Sequence, residues 1–113
     1  MSKNKKIIIQ VKGTNWEVVV LTRAMFNKAY PDSTNAEALT DPNEKSIFIV
    51  KDHLNFETAL HEVIHAFRFE CHTTSMTEES PEDREEHLCE IVSANFFQLG
   101  QLALEITIKL GKK

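Results

Sequence analysis

Hydrophobic positions come in short bursts over the first fifty residues and then settle into a helical period. Residues 6–11 (KIIIQV) and 16–21 (WEVVVL) are rich in isoleucine, valine and tryptophan, side chains that suit a pleated strand. The polar KGTN between them is a turn signal, so the pair predicts a β-hairpin with a loop of about four residues. Residues 22–30 have mild helical character, with Thr22 as N-cap. Residues 31–43 contain PDST and TDPN and read as a loop, or as a short helix between turns. Residues 46–50 (SIFIV) predict a third strand, at or next to a sheet edge.

The period changes near Asn55, a plausible N-cap. Leu60, Val63, Ile64 and Phe67 recur at i, i+3, i+4 and i+7, which predicts a helix to about residue 70. Residues 72–81 are a polar break. Pro81 or Glu82 opens a last helix with the apolar set Leu88, Ile91, Val92, Phe96, Leu99 and Leu102. Gly100 either ends that helix or weakens it, and the tail LALEITIKL is undecided between helix and strand. The pattern predicts one α+β domain over residues 1–113: a small, mostly antiparallel sheet packed on the 55–70 helix and a second long helix.

Composition narrows the function classes. The chain has 42% apolar and 27% charged residues, ordinary for a globular domain. Its longest apolar runs are 7–9 and 18–21, well short of the ~20 residues that span a bilayer. They are also short of the ~7–15 residues of a signal-peptide core. A cytoplasmic protein with no membrane partner is the expectation. Net charge is −4, which argues against a broad nucleic-acid face. Residues 78–90 hold seven carboxylates against Arg84 alone, in keeping with a solvated loop and an acidic first helical turn. Cys71 and Cys89 have no zinc-type spacing and read as reduced thiols, Cys89 as a buried one.

One stretch carries chemistry: His61-Glu62-Val63-Ile64-His65, an HExxH on a predicted helix. Residues four apart share a helical face, so both imidazoles can converge on one Zn²⁺. Glu62 projects beside the metal, where it can take a proton from a zinc-activated water and pass it to a leaving amine. Composition alone yields such a motif by chance in about 2–3% of chains like this one. A catalytic zinc takes three protein ligands and keeps one open position. The acidic start of the last helix is the natural source of the third, since Glu86 and Glu90 are four apart and face one way. One can bind metal while the other accepts a hydrogen bond from a ligand histidine.

The HExxH helix followed by Glu86-His87-Leu88-Cys89-Glu90 resembles the gluzincin type of zincin metallopeptidase. It also resembles the small HExxH proteins of phages and prophages that share features with the ImmA/IrrE metallopeptidases. The resemblance covers about residues 46–99. It implies a minimal zincin fold, Glu86 as metal ligand and Glu90 as support for the first histidine. The family's supporting acid is usually Asp, so the longer Glu90 leaves the two roles open to exchange. A phage or prophage setting is implied in the same way.

Other candidates are weaker. His72 lies seven residues beyond His65, about 10 Å along a helix axis, too far to share one metal. His87 reads as an exposed first-turn residue and His53 as a loop residue. Tyr30, His87 and Arg68 are the available donors to a tetrahedral intermediate, with nothing to choose among them. An extended substrate can add along residues 47–49 if that strand is an edge. The expected function is zinc-dependent hydrolysis of a peptide bond in a protein or peptide substrate. The alternative is a non-catalytic zinc-binding or protein-interaction domain.

Overall fold

A computed structural model describes residues 5–71 and 80–111. The first two strands form the expected hairpin with a tighter turn. β1 (Lys5–Val11) and β2 (Thr14–Leu21) pair as far as Val11 opposite Thr14, so only Lys12 and Gly13 turn the chain. Both have positive φ, 52° and 83°, as the two-residue turns that match strand twist require. Thr22 then caps α1 (Arg23–Ala29), its hydroxyl accepting from the Met25 N–H at 3.2 Å.

The segment read as loop contains a strand. After a 3₁₀ turn at Pro31–Ser33, β3 (Ala38–Asp41) pairs antiparallel with β4 (Ser46–Val50). The Asp41 carboxylate shapes the connecting turn by accepting from the N–H groups of Asn43 and Glu44 at 3.1 and 3.3 Å. β4 also pairs parallel with β2, so the sheet order is β1-β2-β4-β3 and the sheet is mixed. β4 is therefore an internal strand, and β3 forms the edge.

Alternation sends Trp16, Val18, Val20, Ile47 and Ile49 to one face and Val19, Leu21 and Val50 to the other. α1 covers the second face with Phe26. The first face takes α2 (Phe56–Cys71) and α4 (Phe96–Leu110). Asn55 caps α2 by accepting from the Thr58 N–H at 2.9 Å. The fully buried stripe of α2 is Ala59, Val63, Ala66 and Phe67, while Leu60 and Ile64 stand at its margin. Small alanines there let the helix lie close to its neighbours.

The expected single last helix is two. α3 (Pro81–Ala94), capped by Ser80, ends at Asn95, and α4 leaves at a 77° bend. The Asn95 side-chain amide donates to the Ile91 carbonyl at 2.8 Å, and its own N–H donates to the same oxygen at 3.1 Å. Such local side-chain bonding competes with the helical ladder. Gly100 does not end α4, and the C-terminal tail is helical. Cys89 is exposed rather than buried, because only Ile91 of α3 enters the core. Among the described residues, no single helix is long and apolar enough to cross a membrane.

Candidate metal centre

α2 sets the two imidazoles one turn apart on its solvent side. Their Nε2 atoms lie 3.1 Å from each other, with the rings edge-on at 75°. Two nitrogens on one tetrahedral Zn²⁺, each at roughly 2.0–2.1 Å, stand about 3.3 Å apart. The observed spacing fits a shared ion. It also fits a hydrogen bond between one N–H and one ring lone pair, which is the metal-free use of the same geometry.

Glu62 follows His61 by about 100° around the helix, which turns it under β3. It is 7% exposed, although charged. A buried carboxylate needs a hydrogen-bonding partner. The Thr40 hydroxyl on β3 supplies one, donating to Oε1 at 2.8 Å. The same hydroxyl lies 3.2 Å from the Glu62 carbonyl, but its single proton favours the charged acceptor. Oε2 is left 4.0 Å from His61 Nε2. The metal-binding atoms of His61, Glu62 and His65 all fall within 4.8 Å of one another.

Burial of the His65 ring lowers its pKa below the ordinary imidazole value; Glu62 works against this, while His61 and Arg68 push the same way. Net lowering keeps the ring neutral near pH 7, the form that binds metal.

The cluster lines a cleft of about 370 Å³ between α2 and β3. Thr40 and Pro42 line one side, and Arg68 and Phe69 continue the α2 wall past His65. The Nε and Nη2 atoms of Arg68 are buried and find no hydrogen-bond partner among the described residues. The end of α2 is pinned by Glu70, whose Oε2 accepts from Trp16 Nε1 at 2.8 Å and from Lys45 Nζ at 2.5 Å. The Lys45 ammonium also sits 4.3 Å over the Phe69 ring.

The remaining sequence candidates are not part of this cluster. Glu86 and Glu90 are exposed on α3, and neither joins the group formed by His61, Glu62 and His65. His87 is exposed on the same helix. His53 pairs with Glu37 at 3.0 Å. The Tyr30 hydroxyl donates to Asp41 at 3.0 Å, and burial together with that carboxylate pushes its pKa up to about 12. His72 lies outside the described residues. Of the three oxyanion donors considered, Arg68 is the one that lines the cleft. Thr40 was not visible as a site residue, because nothing in TDPN distinguishes a strand threonine from a turn threonine.

The chain matches no family model, and no curated protein or solved structure is found to be similar to it.

Proposed function

We propose that the chain is a zinc-dependent peptide hydrolase whose centre is His61, His65 and Glu62. The observation that carries this reading is the 3.1 Å convergence of the two Nε2 atoms beside a buried carboxylate held from a different element. Zn²⁺ held by His61 and His65 would lower the pKa of water toward about 7 and would act as a Lewis acid for the substrate carbonyl. Glu62 Oε2, the oxygen not engaged by Thr40, takes the proton of the attacking water. It then gives that proton to the amine nitrogen as the C–N bond breaks, so one water is consumed and a carboxylic acid and an amine are released. Arg68 donates to the oxygen that gains charge at the carbonyl. The outer edge of β3, beside the cleft, offers backbone groups to an extended peptide in place of the 47–49 segment. Glu86 or Glu90 remains the proposed third ligand. A cytoplasmic, phage or prophage setting belongs to the same proposal.

A second reading has its own support. Among the described residues, the group holds two histidines and Glu62 without an α3 acid, as suits a non-catalytic metal-binding or interaction domain. The two readings part on Glu62→Gln. If the chain is a hydrolase, E62Q keeps one zinc per chain by elemental analysis and cleaves an unfolded fluorescent protein substrate about 10²–10⁴-fold more slowly. Equal cleavage by E62Q and wild type, or zinc retained unchanged in H61A/H65A, refutes the hydrolase.

A further inference from the structure

We propose that α4 is a self-association surface, on which a second copy of this chain packs its own α4 antiparallel about a two-fold axis. The inference is independent of the zinc centre. α4 is apolar around more of its circumference than the core uses. Leu99, Ala103, Ile106 and Leu110 make its buried face. A second ridge, Phe96, Gly100, Leu104 and Ile108, runs beside it at four-residue spacing, the ridge that packs helix on helix most often. Phe96 and the adjacent Phe97 are 66% and 83% exposed, and Leu104 and Ile108 are each 51% exposed.

Gly100 gives the second observation. Glycine weakens a helix interior relative to alanine. Nothing in the fold requires it here, since a Cβ at this position meets no atom within 4 Å. The open space is the floor of an apolar groove of about 370 Å³, walled by Phe56, Leu60 and Ile64 of α2 and Val92 of α3.

The ridge is complementary to itself. A two-fold axis midway between Gly100 and Leu104 sets each Leu104 over the partner copy's Gly100 and each Phe96 against the partner copy's Ile108. Large side chains meet the one missing side chain, as an isologous interface demands. Charge points to the same occupant. The only charged residues of α4, Glu105 and Lys109, satisfy each other at 2.8 Å, leaving no cationic ridge for an anionic membrane and no charged handle for a charged partner. The area also suits a dimer. At about 200 Å² per phenylalanine, the exposed parts of Phe56, Phe96 and Phe97 amount to roughly 400 Å². The half-exposed Leu104 and Ile108 bring this closer to the ~800 Å² per partner of a standard interface.

Sedimentation equilibrium of the full chain tests the proposal. At about 100 μM the wild type is expected to form a particle of twice the 12.9 kDa chain mass. Gly100→Gln fills the open space with a good helix former, so it should weaken the dimer at least ~10-fold while leaving the melting temperature of the dilute chain equal or higher. Leu104→Glu should weaken it as much. A wild type that stays at the single-chain mass overturns the proposal. So does a dimer whose dissociation constant neither substitution moves by more than about twofold. A monomer that instead co-sediments with neutral phosphatidylcholine vesicles overturns it too, and assigns the face to lipid.

Discussion

Thr40→Val isolates the contact on which the placement of Glu62 depends. The substitution keeps the shape of the side chain and deletes one hydroxyl. Glu62 is buried, and Oε1 loses its 2.8 Å donor. A hydrogen bond to a charged acceptor is worth about 1.5–3 kcal/mol, and a stranded buried acceptor costs a similar amount. For a chain of this length each kcal/mol moves Tm by about 4 °C, so T40V should melt about 6–12 °C below the wild type at pH 7. Thr40→Ser retains the hydroxyl and should recover most of the loss. In a Glu62→Leu background the carboxylate is gone and only the 3.2 Å contact with the residue 62 carbonyl is left, so the same T40V change should cost about 1 kcal/mol or less. Thermal unfolding of the four proteins closes the cycle. A T40V protein within about 0.5 kcal/mol of wild type, or an equal cost in the E62L background, shows that Thr40 does not hold the carboxylate. If the chain is the proposed hydrolase, T40V should bind zinc as the wild type does and hydrolyse about tenfold more slowly, because the base is no longer fixed in place.

Two further outcomes follow from the charges around α2. Burial alone would raise the Glu70 pKa, but hydrogen bonds from Lys45, Trp16 and Thr14 and the Lys45 charge bring it below the ordinary 4.5. A depressed folded-state pKa stabilises the protein above the unfolded value, and that stability is lost as pH falls from 4.5 through the folded value. Glu70→Gln should therefore cost about 1–3 kcal/mol at pH 7 in urea unfolding, with the gap to wild type narrowing below pH 4.5; a gap independent of pH removes the ionic account. Arg68 buries two nitrogens that have no partner among the described residues, which favours neither its solvation nor its packing. Arg68→Met should leave stability unchanged or raised, yet slow hydrolysis about 10–100-fold if the guanidinium serves the substrate; a large fall in Tm would instead make Arg68 a structural residue.

Much of this architecture is legible in local pattern. The alternation of 16–21 and 46–50 places Trp16, Val18, Ile47 and Ile49 on one face, and Thr22, Asn55 and Pro81 mark helix starts that the structure retains. β3 escapes because ALTD has no strand signature of its own. It is a strand only through pairing with β4, a contact that no local window contains. Thr40 is lost with it, so the sequence shows the HExxH residues but not what holds Glu62. The bend at Asn95 has a local cause, an asparagine that bonds back to Ile91. The apolar period nevertheless runs across it from Ile91 to Leu99 and masks the break. For Glu86 and Glu90 the spacing says only that they share a face. Which neighbour that face meets depends on how α3 docks.

α3 carries both candidate acids outside the cluster and is lightly anchored, and this decides how the third-ligand question can be answered. Residues 81–87 are exposed, and Ile91 is its one buried side chain. Full burial of Ile91 contributes about 1.5–3 kcal/mol and the partly buried Val92 adds a smaller share, together equivalent to about one to three decades of binding affinity. A carboxylate that ligates zinc can outweigh an anchor of that size, so drawing α3 toward α2 on metal binding is energetically accessible. Glu86→Gln and Glu90→Gln measure it directly. If α3 supplies the ligand, one of the two should lower zinc affinity by about 10–100-fold, and zinc should slow amide exchange in residues 81–91 of the wild type. The ligand and its support should separate by magnitude, the ligand substitution costing more. If both variants bind zinc as the wild type does and exchange in α3 is unchanged, the ion rests on His61 and His65 with Glu62 alone beside them. The assignment of Glu86 or Glu90 as ligand then fails, while the roles of the histidines and of Thr40 stand untouched.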